Sequence, residues 1–252
     1  MTDTLLLLPH QIYLPKFFPK EIKKVVFYEH PQYFTKYKFN QKKLVLHRAS
    51  MKAHQKLLDK KYTTTYLEFK DSPSKLPKSY VMFDSIDKIK MKPAPQEVLE
   101  SPNFLLKLED YENYAKKTKH FRFQAFQMFG KAIVDIIPKV KSQDKENRGS
   151  IPKDIKIPPL PSNKKASDQK FIQEAQEYVK KHFSKNYGTC DNFQYPISHS
   201  MAEKWLQKFI KEKFSKFGTY QDFMIPGEDY LFHSVLSSSI NIGLLHPLDI
   251  ID

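Results

Sequence analysis

Cysteine is almost absent: Cys190 is the only one in 252 residues, so the chain can form no internal disulfide and cannot by itself ligate a metal cluster. A reducing intracellular compartment is the expectation. Glycine is nearly as scarce. Six glycines leave no Gly-x-Gly-x-x-Gly, no P-loop and no Gly-x-Ser-x-Gly elbow, which argues against a standard dinucleotide site, a nucleoside-triphosphate site or a serine-hydrolase nucleophile. The longest early apolar run, Leu5 to Leu8, is far too short to span a bilayer and follows an acidic residue. A soluble protein without membrane partners is therefore expected. His182, Cys190 and His199 are too loosely spaced for a zinc site, so no metal ligands are assigned.

Arginine is the third shortage. The net charge of +14 has the sign that a nucleic-acid binder shows, but only Arg48, Arg122 and Arg148 stand among 42 basic residues. Phosphate and base recognition favour the arginine fork, so charge supports a basic nucleic-acid-binding α/β module only weakly. An apolar fraction of 40% and an aromatic fraction of 14% are those of a folded chain, long enough for one large or two small domains.

Thr4–Leu8 reads as a short buried strand stopped by Pro9, and Lys24–Tyr28 as a second leading into Glu29-His30-Pro31. Polar groups follow both strands at the edge where α/β sheets bind ligands, which makes His10, Gln11 and Glu29 candidate site residues. The same residues also read as two capped strand ends. Between Asn40 and Lys61 the apolar positions Leu44, Val45, Ala49, Ala53, Leu57 and Leu58 recur with helical spacing. Tyr66–Phe69 and Tyr80–Phe83 are shorter strand candidates. This order predicts a mainly parallel sheet with crossover helices.

Further on, Phe121, Phe123, Phe126, Met128, Phe129 and Ile133 predict one or two aromatic helices, most of whose rings belong in a core. The Lys-, Ser- and Pro-rich stretch from Pro138 to Pro161 reads as a linker. Helices are expected over Asp168–Phe183 and Ala202–Phe217, the second ending at Gly218 as a C-cap. Near the end, Ser234, Ser237, Ser238 and Ser239 precede Asn241-Ile-Gly-Leu-Leu245. Hydroxyls and free N–H groups at a helix start can bind a phosphate, and equally form an ordinary serine-rich cap.

Phe232-His-Ser-Val-Leu-Ser-Ser-Ser-Ile-Asn-Ile-Gly-Leu-Leu-His-Pro247 resembles the flavin-phosphate segment of the cryptochrome/photolyase family, most closely its photolyase-related branch of bacterial iron–sulfur members. Ser238 replaces the usual proline. Leu7-Leu-Pro-His-Gln-Ile12, Phe39–Met51 and Asp144-Lys-Glu-Asn-Arg148 resemble further segments in the same order, although Lys139–Ser142 departs from the Gly-Gly and Trp usual there. The resemblance implies a Rossmann-like α/β antenna domain over 1–130, a linker over 131–162 and a partial all-α segment, the start of a flavin domain, over 163–252. It implies Ser234, Leu236, Ser237, Ser239 and Asn241 on the phosphate side of FAD, and a ribityl-lumazine antenna near His10, Gln11 and Glu29. Relatives continue beyond the position of Asp252 with the isoalloxazine pocket, the electron chain and four cluster cysteines. Three readings follow: half of a split light-dependent DNA repair or cryptochrome protein, with a separately encoded C-terminal partner and damaged DNA as ligand; an inactive remnant; or the cofactor-free basic module. No catalytic residue and no iron–sulfur cluster is expected in this chain, FAD is expected to bind weakly, and cytoplasm or nucleus is the expected location.

Overall fold

The computed structural model describes residues 2–134, 149–152, 154–162 and 166–251. Five strands form one parallel sheet: β1 (Thr4–Leu7), β2 (Lys24–Tyr28), β3 (Thr63–Leu67), β4 (Val81–Phe83) and β5 (Glu97–Leu99), in the order β3-β2-β1-β4-β5. Leu5 pairs with Val25 on one side and with Val81 on the other. Central β1 is buried along its whole length, as a parallel strand covered on both faces must be, whereas edge strands β3 and β5 are partly exposed. The third strand starts earlier than Tyr66 because Thr63, Thr64 and Thr65 are β-branched and pair with Lys24, Val25 and Val26. The short fifth strand carried no period-two signal of its own.

After α1 (Pro31–Phe34), α2 (Gln41–Leu58) makes the crossover from β2 to β3, with the Asn40 side chain accepting the Lys42 N–H at 2.9 Å as its N-cap. It is buried nearly all round, because α5 (Ala166–Phe183) packs along it on the side away from the sheet. The burial therefore includes His47, Arg48, Ser50 and His54, while Leu57, expected inside, is exposed. Ile172, Ala175 and Val179 of α5 and Trp205 and Leu206 of α6 (His199–Glu212) join the same hydrophobic cluster as the sheet.

Two expectations need correction. The aromatic stretch forms a hairpin of α3 (Leu108–Lys117) and α4 (Phe123–Val134), but Gly130 is its sole buried helical position. Phe121, Phe123, Met128 and Ile133 are exposed, since no described element forms a second layer over them. The helix expected over 202–217 is broken at Lys213 into α6 and α7 (Phe214–Tyr220). Buried Lys213 turns its Nζ to the Leu231 carbonyl at 2.8 Å, and Gly218 lies inside α7 instead of ending it. The chain closes with α8 (Ser237–Asn241) and α9 (Leu248–Ile251). The Asp144–Arg148 segment and much of the 131–162 linker lie outside the described residues.

Candidate functional site

In the order β3-β2-β1-β4-β5 the chain reverses its direction of growth between β1 and β4, and ligands of open α/β sheets bind at the carboxyl ends of strands beside such a point. A cavity of about 710 Å3 lies there. His10 follows β1, and Ser85, Ile86 and Asp87 follow β4. Ile86 has φ +65°, unusual for a β-branched residue, and its N–H is held by Asp84 Oδ1 at 2.9 Å. The turn is further pinned by Ser85 Oγ donating to the Asp87 carbonyl at 2.8 Å.

The opposite walls come from α1, the first turns of α2 and, from the far end of the chain, α8. Tyr33, Lys43 and His47 line the first two, and Ser237, Ser238 and Asn241 the third. The His10 and Tyr33 rings lie 4.7 Å apart, with His47 6.5 Å beyond Tyr33. Both nitrogens of His10, Nδ1 of His47, the Tyr33 hydroxyl and Ser238 Oγ are buried without a hydrogen-bond partner among the described residues. Buried polar atoms are rarely left so, and here they belong to the walls of a single cavity. Burial holds His10 down at about 4 and His47 at about 3, so both imidazoles are neutral near pH 7. Burial, with the Asp87 carboxylate nearby, pushes the Tyr33 phenol up.

The three residues proposed at the strand ends separate. His10 reaches the cavity. Gln11 is fully buried and clamps β1 to β4: its Nε2 donates to the Phe83 and Asp84 carbonyls at 2.9 and 3.2 Å, and its Oε1 accepts from Leu8 N at 3.1 Å. Glu29 is also fully buried. It accepts from Arg48 Nη1 at 2.8 Å, Tyr66 OH at 2.7 Å, Tyr178 OH at 3.0 Å and Phe69 N at 3.2 Å. Arg48 also binds Glu68 and Glu174 and lies 3.4 Å from the Tyr178 ring centroid, which ties β2, α2 and α5 together. Burial raises the Glu29 carboxyl pKa against the opposing pull of Arg48.

The serine segment divides as well. Ser237 and Asn241 face the cavity. Ser234 Oγ accepts from Leu236 N at 3.4 Å, buried Leu236 occupies the N-cap of α8, and Ser239 is fully buried with its Oγ unpartnered among the described residues. The segment is fastened to the sheet by Ile12 N–H donating to the Ile242 carbonyl at 2.9 Å and by the Tyr13 ring against Gly243. His199 Nδ1, 3.0 Å from the Leu244 carbonyl, adds a third tie. Tyr33, Lys43, His47 and Asp87 were not singled out from the sequence. The available signal was His47 and His54 on the apolar face of a long helix, seven residues apart.

The fold is that of an α/β protein with a cavity at the switch point of its parallel sheet. The model of the family described as deoxyribodipyrimidine photo-lyase-related protein matches residues 5–82 and 75–195, and the chain belongs to that family. It is similar to a (6-4) photolyase of Agrobacterium fabrum, 35% identical over 107 residues, which are 42% of this chain and 20% of that protein. The matched stretch thus spans a fifth of the relative's length. No helix among the described residues is long and apolar enough to cross a membrane.

Proposed function

We propose that this chain is the light-harvesting half of a photolyase-related protein, and that its cavity holds a lumazine- or flavin-like antenna. The observation that carries this reading is the set of unpartnered polar atoms on His10, Tyr33, His47 and Ser238 around one cavity at the switch point. About 710 Å3 lies within the usual range for small-molecule sites. Neutral imidazoles and a phenol suit a planar heterocycle, which they can stack on and bind along its polar edge. Such a group would absorb light and pass the excitation to a flavin. The chain's own residues position the ring and exclude water.

FAD is the second cofactor of this reading. The residues that the resemblance assigns to its phosphate, Ser234, Leu236, Ser237, Ser239 and Asn241, could supply only a few hydrogen bonds of about 1 kcal/mol each, which do not offset the entropy of fixing so large a ligand. This stretch of chain by itself is therefore expected to bind FAD weakly, and a C-terminal photolyase half is its proposed partner. Damaged DNA is the proposed substrate of the assembled protein. A nucleic-acid contact within this chain is favoured at the tip of the α3–α4 hairpin, where Lys116, Lys117, Lys119 and Arg122 are exposed beside exposed Phe121 and Phe123.

Purification from cells that make riboflavin precursors, followed by absorption spectroscopy and titration with ribityl-lumazine, tests the reading. A coloured protein, or saturable binding weakened at least about tenfold by His47→Leu, is expected. A colourless protein that takes up no added ribityl-lumazine overturns the antenna role.

A further inference from the structure

The α3–α4 hairpin presents two kinds of surface that its own fold leaves unanswered. The first is apolar. Phe126 and Phe129 meet Tyr114 between the two helices, while Leu108 at the start of α3, Phe121 in the turn, and Phe123 and Met128 on α4 are exposed. At the helical repeat Met128 falls on the side of α4 turned away from those inner rings. The second is charge. Glu109 and Glu112 stand in the first half of α3, and Lys116, Lys117, Lys119 and Arg122 follow at its end and in the turn. All six are exposed, and among the described residues none takes part in an ion pair.

Acid first and base last suits the dipole of α3 by itself. Lys119 and Arg122 lie past that helix, however, and a dipole gives no reason for the exposed apolar side chains beside them. The ten residues of α3 span roughly 15 Å, more than the roughly 8 Å over which physiological salt screens a charge, so its two ends act as separate poles. A nucleic acid answers the basic pole only and leaves the acidic half of α3, Leu108 and Met128 without a partner. A second hairpin laid antiparallel on the first answers them all. Each acidic half then faces the other copy's basic turn, and the exposed apolar side chains of the two copies cover one another as in a four-helix bundle. Two chains of charge +14 repel, so a local contact of opposite sign is what lets them approach, and it fixes one orientation.

We propose that the α3–α4 hairpin is a self-complementary docking surface, on which a second copy of this chain pairs antiparallel about a two-fold axis. Two short helices a side offer less than the roughly 1,600 Å2 of a standard interface, so the dimer is weak, with a Kd on the order of 10 µM. Below that concentration the hairpin is free; in the dimer its turn is closed to nucleic acid.

Sedimentation equilibrium of the full chain, over two decades of concentration around that value, tests the pairing. Two charge-reversed chains carry the test: one with Lys116→Glu, Lys117→Glu and Lys119→Glu, the other with Glu109→Lys and Glu112→Lys. Each should keep its circular dichroism and self-associate at least about tenfold more weakly, since like poles then meet. Mixed in equal amounts, they should pair again to within about threefold of the unaltered Kd, because opposite poles meet at both ends. Met128→Gln leaves every charge in place and should weaken the dimer about fivefold through the lost apolar contact. A chain that stays monomeric throughout overturns the proposal, and so does a dimer that the reversals leave unchanged. A mixture no more associated than its two components also overturns it; retention of oligothymidylate by the unaltered chain but not by the first variant would then leave the turn to nucleic acid alone.

Discussion

The inner strands of the sheet and the α3–α4 hairpin both read as apolar, and they end in opposite environments. Leu5, Leu6 and Leu7 of β1 are 0% exposed, with α2 and α5 layered beyond the sheet. In the hairpin Tyr111, Tyr114, Phe121, Phe126 and Phe129 pack on one another at ring separations of 4.8–6.5 Å, yet Phe123 remains 72% exposed and Met128 73%. A ring is buried when a second layer is available to cover it, whatever its own hydrophobicity. Two short helices supply one ridge against another, and among the described residues nothing lies over the outside.

The sharpest test of that contrast pairs two arginines. Arg48→Ala leaves Glu29 buried at 0% exposure without its cation and is expected to cost about 3–5 kcal/mol in urea unfolding, whereas Arg122→Ala at the hairpin tip should change stability by less than about 0.5 kcal/mol. Replacing the buried pair together, by Arg48→Met with Glu29→Leu, should recover much of the loss. If Arg48→Ala is silent, the seam between sheet and α5 is not held as described.

Next in size, Leu6→Ala in the fully buried strand is expected to cost about 2–5 kcal/mol. Gly243→Ala comes third. Its φ of +84° disfavours any side chain, and the new Cβ would lie 2.6 Å from the Tyr13 ring and 3.3 Å from Ile12 N, so a loss of about 2 kcal/mol should appear as a lower melting temperature. Gly130→Ala in the hairpin meets only the flexible end of Leu106, which can move, and should be near neutral.

Acid sharpens the comparison further, because the buried histidines belong to the sheet side. Burial holds His10 at about 4 and His47 and His54 at about 3, below their ordinary 6.5. As pH falls below 6.5 the unfolded chain takes up protons that the folded chain refuses. Their stabilising contribution is therefore complete above about 6.5 and is lost progressively toward pH 3–4, with a slope of up to about 1.4 kcal/mol per pH unit for each histidine. Urea unfolding at pH 7, 6 and 5 should show it, and His54→Gln should make the slope shallower; an unchanged slope would remove His54 from the explanation. The smallest expected effect is that of Phe123→Ala, within about 0.5 kcal/mol. A loss above 2 kcal/mol there would mean that this ring is covered after all.

Much of the sheet could be read from the chain because its signals are local. Thr4–Leu7 and Lys24–Tyr28 are short apolar runs bounded by proline or charge, and Asn40 caps the helix that follows. The photolyase-related resemblance was legible for the same reason, since its motifs are contiguous. The cavity was only half legible. His10 could be proposed from its place after a strand, but the same rule also nominated Gln11 and Glu29, whose polar atoms the fold occupies elsewhere, on Phe83 and Asp84 and on Arg48.

Strand and helix identity, the parallel sheet and the family could be inferred from residues adjacent in the chain, because hydrophobic period, capping and motif order are properties of neighbours. Which side chains meet was settled by folding. His10 and Ser238 stand 228 positions apart in the sequence yet line one cavity, because Ile12 bonds to Ile242 and Tyr13 packs on Gly243. No local pattern encodes such a pairing: it depends on the sheet's switch point and on α8 returning to it, and closing so long a loop is favourable only once the whole core forms around it.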